Sequence, residues 1–316
     1  MRFIYSIFFI MMIGSGYAQT VEKAKKLWED NNLTQAKQLL KTVKKESPEY
    51  ADAQYYLGRI AFDEKDYDNA EDFFEEAIEI NSKKAEYHTW YGNTLGTLAA
   101  DANLFKQAML GPKMKSAWER AVELDKNAVD PRESLIQYYL QAPAIAGGSV
   151  DKAIEIANEI IKLKPAAGHL QLGNIYYKEK KFPEAEKEFI AMANADPAYA
   201  SGLSSFYINR KQYDKAFAIF EDQLKKNPED MMAIYQIGKT SALSGQKLDR
   251  GEACLRKYLS YQPKKNEPSH AGANMRLAQI MEKAGKKSEA KRLYETALKG
   301  DATLKEAKEG LERVSK

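Results

Sequence analysis

Residues 58–77 read GRIAFDEKDYDNAEDFFEEA, and the spacing of three residue types within this stretch decides the fold. Gly58 is small, Ala70 lies 12 positions later and is also small, and Phe74 lies 16 positions after the glycine and is bulky. A second copy keeps these offsets and adds a proline 24 positions after its glycine: Gly173, Ala185, Phe189 and Pro197. A fixed interval between the same residue types indicates a repeated structural unit.

The same register recurs through the chain. Three weaker copies keep it: Ala24, Ala36, Leu40 and Pro48; Ser204, Ala216, Phe220 and Pro228; Ala278, Ala290, Tyr294 and Ala297. Three others are stretched, by ten residues from Gly92 to Trp118, by five from Ile136 to Ala153 and by one from Gly238 to Leu255. The sequence therefore predicts eight units, and the interval from Ala36 to Ala70 sets their basic length at 34 residues.

The residue types at these positions predict a pair of antiparallel helices in each unit. Small residues let two helices approach closely, a bulky residue fills the space beside them, and proline ends the second helix. A generic helical bundle is the alternative, but a bundle does not require one interval between the same residue types.

This pattern resembles the tetratricopeptide repeat, a helix-turn-helix unit of 34 residues. Tyr56, Leu57 and Gly58, and again Leu172, Gly173 and Tyr176, stand where that family has its characteristic residues. The resemblance covers nearly all of residues 20–316 and implies an all-α, right-handed superhelical solenoid of antiparallel helix pairs.

The N-terminus differs from the rest of the chain. Arg2 is the only charged residue of 1–18, an apolar run covers 3–13, and Gly16 and Ala18 are small. We predict a secretory signal peptide over 1–18 that is cleaved before Gln19, because the apolar run is far shorter than the roughly 20 residues that span a bilayer. The prediction continues with a repeat array over 19–301, a charged capping helix over 302–316, no transmembrane anchor, and a periplasmic or secreted location.

Composition narrows the classes of function. The chain has 48 basic and 45 acidic residues, a net charge of +3, and its lysine clusters do not alternate with aromatic residues, so we do not expect nucleic acid as a partner. Cys254 is the only cysteine, and the three histidines are far apart. We therefore expect no disulfide, no metal site and no cofactor. Glycine-rich phosphate loops, metalloprotease His pairs and Gly-x-Ser-x-Gly elbows do not occur, so the sequence predicts a protein that is not an enzyme.

The resemblance also implies which residues a ligand would meet, because in tetratricopeptide arrays the first helix of each pair lines the inner surface. Candidate peptide-binding residues on these helices are Tyr55, Arg59, Thr89, Asn93, Gln137, Asn174, Tyr177, Tyr235 and Lys239, with Phe62 beside them. Tyrosine supplies a rigid face and a hydroxyl, and amides can bond both groups of an extended backbone. Packing between neighbouring helices is the alternative role for each of them. The Lys and Asn pattern with which some family members bind a C-terminal carboxylate is not found at Tyr55 and Arg59 or at Thr89 and Asn93.

The two larger insertions, residues 96–113 and 140–152, offer a second candidate surface. They fall in the connections between the helices of adjacent units, contain Phe105 and Met109 in one and Ile145 in the other, and are expected to project from one edge. The insertions either form a binding lip or pack on each other.

These observations predict a non-enzymatic scaffold of the cell envelope or secreted space that binds a protein or peptide. The alternative is an enzyme or glycan-binding protein with the insertions as its pocket, and a third possibility is an array that only spaces or dimerises an assembly. The sequence leaves the partner and the oligomeric state open, because one repeat fold supports many functions.

Overall fold

The computed structural model describes residues 17–316, and this part of the chain is built from helices and turns without a β-strand. It divides into two compact units, one ending at Lys181 and the other beginning at Phe182. The predicted signal peptide lies, except for its last two residues, outside the described part. None of the helices from residue 17 onward is both long enough and apolar enough to cross a membrane.

The first unit contains nine helices in the described residues. They are α1 (17–29), α2 (Leu33–Leu40), α3 (Tyr50–Asp63), α4 (Tyr67–Ile80), α5 (Ala85–Ala100), α6 (Leu104–Leu124), α7 (Asp130–Gln141), α8 (Val150–Leu163) and α9 (Pro165–Lys178), with a short 3₁₀ helix at Ala144–Ala146. Consecutive helices pack against each other, as in the α3 and α4 pair and the α5 and α6 pair.

The second unit contains eight helices. They are α10 (Phe182–Ala195), α11 (Ala200–Asn209), α12 (Tyr213–Lys226), α13 (Met231–Ser244), α14 (Leu248–Leu259), α15 (His270–Lys283), α16 (Lys287–Gly300) and α17 (Lys305–Ser315), with a 3₁₀ helix at Pro197–Tyr199. The predicted all-α fold of paired helices is confirmed.

The small and bulky residues of the repeat meet as the spacing predicts. A Cβ atom added to Gly58 would lie 2.7 Å from the ring of Phe74, one added to Gly92 would lie 2.6 Å from the indole of Trp118, and one added to Gly238 would lie 2.3 Å from Leu255. Real Cβ atoms do not come this close, so the missing side chain is what lets the two helices of each pair approach.

Side-chain caps and a proline set several helix ends. Ser149, Asp230 and Ser269 each precede a helix and accept a hydrogen bond from a backbone N–H of its first turn. These bonds satisfy donors that have no partner within the helix. Pro165, predicted only to stop a second helix, is also the first residue of α9, where its fixed φ and missing N–H are tolerated.

Most of the first insertion is helical. Its residues lengthen α6 at the N-terminus, so that α6 reaches 21 residues and contains Pro112. Asn103 caps it by accepting a hydrogen bond from the N–H of Lys106 at 2.9 Å. Leu110 is 7% exposed, so its burial holds the helix together beside the proline.

The second insertion forms the 3₁₀ helix and a turn at Gly147, where φ is +91°. This short helix contacts α6. The Tyr138 hydroxyl of α7 donates to the carbonyl of Ala146 at 2.6 Å, and its ring lies beside Gly111 of α6. The two insertions therefore touch each other around Tyr138.

A charged helix, α17, lies within the predicted capping segment and packs on α16 and α15. Gly310 faces Tyr294 of α16, and a Cβ atom at Gly310 would lie 2.2 Å from that ring. Arg313 donates to both carboxylate oxygens of Glu282, at 2.8 and 3.0 Å. The outer boundaries of the predicted domains stay predictions.

Candidate binding surface

Neighbouring helix pairs pack mainly through the second helix of one pair and the first helix of the next, as α4 packs on α5 and α14 on α15, and their first helices also meet. In the first unit α3 contacts α5 and α5 contacts α7, and in the second unit α13 contacts α15 and α15 contacts α17. In the described part of the chain, contacts between second helices of neighbouring pairs are sparser. Side chains on one face of the first helices therefore come together across several repeats, which makes this face the candidate binding surface.

Arg59 lies at the centre of an aromatic cluster on α1, α3 and α5. Its guanidinium carbon is 4.4 Å from the ring centroid of Trp28 and 3.6 Å from that of Trp90. Its Nη1 donates to the hydroxyl of Tyr55 at 2.9 Å, whereas its Nε is buried without a hydrogen-bond partner. The faces of the two indoles attract the cation and enclose it. The structure thus gives Arg59 a packing role between three first helices.

Tyr55 is packed rather than open. It is 6% exposed, stacks on Tyr87 with ring centroids 5.1 Å apart, and meets Tyr56 edge-on at 5.0 Å. Burial raises the pKa of the Tyr55 hydroxyl, and the Arg59 cation opposes this only in part. Phe62 lies at the edge of the same cluster, with its ring 5.2 Å from that of Trp90.

Thr89 and Asn93 of α5 also have partners within the protein. Thr89 is 7% exposed, and its hydroxyl donates to the carbonyl of Ala85 at 3.0 Å. The Asn93 side-chain oxygen accepts from Trp118 Nε1 at 2.9 Å and from the Ser134 hydroxyl at 3.1 Å. Asn93 therefore joins α5 to α6 and α7, and its oxygen already has two donors.

Among the candidate residues of the first unit, Gln137 and Asn174 have exposed side-chain amides. Gln171 Nε2 of α9 donates to Glu133 Oε1 of α7 at 3.0 Å, which ties the two first helices together. Gln137 lies one turn beyond Glu133, and Asn174 lies nearly one turn beyond Gln171, so both belong to the same stretch of the face. Tyr177, with 36% of its surface exposed, follows Asn174 by three residues.

In the second unit, charged side chains join two neighbouring first-helix positions, as Gln171 and Glu133 do in the first unit. Arg276 of α15 donates to both carboxylate oxygens of Glu306 of α17, at 2.6 and 3.1 Å, and Gln279 donates to the same carboxylate at 2.9 Å. Tyr235 of α13 is 7% exposed. Burial raises the pKa of its hydroxyl, and the Arg276 cation lowers it in part.

Lys239 is half-buried one turn after Tyr235. Burial and the Arg276 cation lower the pKa of Lys239, whereas the Glu306 carboxylate raises it. Glu306 is engaged by Arg276 and Gln279, and Lys239 makes no ion pair with another carboxylate of the described residues. This ammonium group can therefore form an ion pair with an anionic group of a bound partner.

Sequence reasoning missed Trp28, Trp90, Arg276, Gln279 and Glu306. Trp28 and Gln279 occupy the same positions in the first helices of the first and eighth pairs as the candidate residues do in other pairs. Extending the candidate positions to every pair would therefore have identified them. Trp90 and Arg276 lie outside the register, and only the packing of neighbouring first helices brings them to this face. Within residues 17–316 no group of His, Cys, Asp and Glu side chains is arranged to hold a metal ion.

Comparison with known proteins agrees with the helix-pair fold. Residues 21–85, which form the first two pairs, match the model of the tetratricopeptide repeat. A tetratricopeptide repeat protein from Parabacteroides merdae ATCC 43184 has the same fold, with a TM-score of 0.53 at 15% identity, over 96% of this chain and 100% of that one. The family match supports tetratricopeptide repeats over residues 21–85, and the structural likeness supports the same helix-pair fold over the chain.

One curated relative is similar in sequence. Superkiller complex protein 3 of Mus musculus is 22% identical over 237 residues, which is 63% of this chain. The chain spans only 15% of the length of that protein.

Proposed function

We propose that this chain is a non-enzymatic scaffold of the cell envelope or secreted space that binds a protein or peptide. The observation that carries the proposal is the exposed pair Gln137 and Asn174 on two first helices joined by the Gln171 to Glu133 hydrogen bond. An amide can donate to a backbone carbonyl and accept from a backbone N–H, which suits an extended polypeptide. The helix-pair fold, which presents such side chains in rows, supports the proposal.

Lys239 extends the proposal to the second unit. Its ammonium group is half-buried and lies near the Arg276 and Glu306 pair. Because Glu306 neutralises the positive charge of Lys239 and Arg276 only in part, this place attracts an acidic side chain of a partner. We therefore expect partners with acidic residues.

The alternative, an enzyme or glycan-binding protein with the insertions as its pocket, has less support. Leu104, Phe105 and Ile145 are 82%, 77% and 99% exposed, so these side chains extend into solvent and do not line a cavity.

A crosslinking pull-down from envelope extract tests the scaffold proposal. The bait is the full chain, compared with a variant that carries Gln137→Ala, Asn174→Ala and Lys239→Ala. The matched control carries Glu155→Ala and Lys162→Ala on the exposed face of the second helix α8. We expect the partner to be lost with the first variant and kept with the control. Equal recovery with both variants, or no specific partner in any sample, would contradict the proposal.

The exported location rests on the apolar segment at 3–13 and the small residues before Gln19. N-terminal sequencing of the protein from the cells that produce it tests this part separately. We expect the mature chain to begin at Gln19, and an uncleaved chain in the cytosol would contradict the location without affecting the binding proposal.

A further inference from the structure

Among the described residues, the large apolar side chains with the highest exposed fractions lie in the two insertions. Leu104, Phe105 and Met109 of α6 are 82%, 77% and 58% exposed, and Ile145 of the 3₁₀ helix is 99% exposed. Elsewhere in residues 17–316 the most exposed large apolar residue is Ile80, at 44%. Leaving four such side chains in water is unfavourable, and soluble proteins keep exposed apolar patches of this kind mainly where something binds. We call Leu104, Phe105, Met109 and Ile145 the insertion patch.

The four residues belong to one edge of the first unit. Leu104 and Gly111 are seven residues apart and therefore share a face of α6. Gly111 lies against the ring of Tyr138, whose hydroxyl bonds the carbonyl of Ala146, the residue after Ile145. Phe105 and Met109, four residues apart, lie one above the other on α6. Tyr138 thus links Ile145 to the face of α6 that carries Leu104, and Phe105 and Met109 follow on the adjoining exposed face of the same helix.

Local hydrogen bonds hold this edge in place. The Asn103 side chain caps the first turn of α6, and Gln107 Nε2 donates to the carbonyl of Ala102 at 2.9 Å. In the other insertion the N–H of Gly148 donates to the carbonyl of Pro143 at 3.1 Å. The apolar side chains therefore project from an ordered backbone.

The charge around the insertion patch is predominantly basic, although each insertion also contains one acidic residue, Asp101 or Asp151. Acidic residues make up 45 of the 316 positions, yet none occurs in 102–118 or in 134–150. Lys106 and Lys113 are exposed beside the patch, whereas Lys115 pairs with Glu119 at 3.4 Å. The half-buried Glu71 of α4 lies near these two lysines: burial raises the pKa of its carboxyl, and the Lys113 and Lys106 cations oppose this in part.

We propose that the insertion patch docks the protein on an anionic lipid surface, a function beyond the capture of a polypeptide. The side chains of the patch are 58–99% exposed and project outward, so a soft, flat apolar medium can cover them, whereas a groove would need a matching protein partner. Apolar residues that enter the boundary between headgroups and acyl chains, with lysines at the headgroups, are the usual components of interfacial membrane binding.

Vesicle flotation of the full chain tests the proposal. Vesicles of phosphatidylglycerol and phosphatidylcholine are compared with vesicles of phosphatidylcholine alone. We expect Phe105→Ser with Ile145→Ser to lower the partition coefficient on anionic vesicles by about tenfold or more. The matched control, Ile80→Ser with Ile190→Ser, also replaces two exposed isoleucines and should change it by less than about twofold. Lys106→Gln with Lys113→Gln should lower binding to anionic vesicles by about tenfold and leave binding to phosphatidylcholine unchanged.

A dye that reports polarity, attached at Ile145→Cys, shows whether the patch itself enters the lipid. Cys254 is buried, so labelling falls on the new cysteine. We expect the emission to shift to the blue on anionic vesicles, with no shift for the same dye at Glu155→Cys. Three results would overturn the proposal. They are flotation without an emission shift at position 145, equal flotation of the patch variant and the original chain, and no flotation of the original chain. A further contrary result is that analytical ultracentrifugation shows the original chain as a dimer and the patch variant as a monomer, with no vesicle binding by either. This result would also overturn the proposal and would assign the patch to contact with a second copy of the chain.

Discussion

The guanidinium of Arg59 lies between the indoles of Trp28 and Trp90 and joins helices of three repeats. Because its Nε is buried without a hydrogen-bond partner, the ring faces provide most of the compensation for removing this cation from water. A cation enclosed in this way stabilises the fold and offers little surface to a ligand. Arg59 is therefore the residue at which the structural role and the predicted ligand-binding role can be separated by experiment.

We expect Arg59→Met to lower the free energy of unfolding by about 2 kcal/mol, because methionine keeps some packing but loses the charge between the indoles. Urea denaturation followed by circular dichroism measures this. Arg120→Met is the control, since Arg120 is exposed on α6 and forms an exposed ion pair with Glu123, and it should change stability by less than about 0.5 kcal/mol. Equal stability of the two variants would return Arg59 to the candidate ligand-binding residues.

The same distinction explains which candidate residues could be interpreted from the sequence. The repeat spacing predicts which residues lie on the inner face of the first helices. It does not predict whether the polar group of such a residue bonds within the protein or stays exposed. Asn93 finds donors in Trp118 and Ser134, which are 25 and 41 residues away in the chain. Gln137 and Asn174 occupy equivalent positions and remain exposed. A single sequence does not distinguish the two cases, because the neighbouring repeats decide them.

At the scale of the helix pair, close approach depends on the absence of a side chain at one glycine. In α5, a Cβ atom at Gly92 would lie 2.6 Å from Trp118, whereas one at Gly96 would lie at an ordinary distance of 3.6 Å from Met114. The two glycines lie one turn apart in the same helix, so they differ in packing and not in backbone context.

We expect Gly92→Ala to destabilise the protein by about 1–3 kcal/mol, because the new methyl group forces α5 and α6 apart or displaces the Trp118 indole. Gly96→Ala should leave stability unchanged or raise it by up to about 1 kcal/mol, since alanine favours helix over glycine. Thermal unfolding of both variants gives the comparison. Similar losses in the two variants would show that the close approach is not specific to Gly92.

The attachment of α17 should depend on pH. The hydrogen bonds from Arg313 hold the pKa of the Glu282 carboxyl below its usual value of 4.5; burial opposes this, and the Tyr294 hydroxyl adds to it. A carboxyl group with a lowered pKa in the folded state stabilises that state above about pH 4.5 and loses this contribution as the pH falls through the folded-state pKa.

We therefore expect Glu282→Gln to cost about 1 kcal/mol at pH 7, a modest value because the pair is partly exposed. The difference from the original chain should shrink as the pH falls below 4.5. Urea unfolding at pH 7, 5, 4 and 3 measures it, with Glu312→Gln as control, at an exposed residue of α17, the helix that also carries Arg313. A difference that stays constant over this range would contradict the electrostatic role of Glu282.

The helix pairs could be predicted from the register, because packing of two helices requires small and bulky residues at fixed offsets. The form of the first insertion could not be predicted in this way. Gly111 and Pro112 suggest a helix break, but α6 continues through both residues. Burial of Leu110 and the contact of Gly111 with Tyr138 outweigh the local preference, and both depend on a neighbouring repeat.

At the scale of the whole molecule, we propose different tasks for different surfaces. The face of the first helices carries exposed amides and a half-buried lysine, the insertions carry exposed apolar residues with lysines, and the second helices carry solvated charge. Binding of a polypeptide by the first helices is the central claim, and it is the claim that predicts where a partner can be crosslinked.

Site-specific photocrosslinking in the cells that produce the chain tests this claim most directly. A benzophenone amino acid is placed at Asn174 on the first helix α9 and, as control, at Glu155 on the second helix α8; both positions are exposed. We expect a discrete polypeptide adduct at 174 that is absent at 155. The same adducts at both positions, or an adduct at 155 alone, would contradict it.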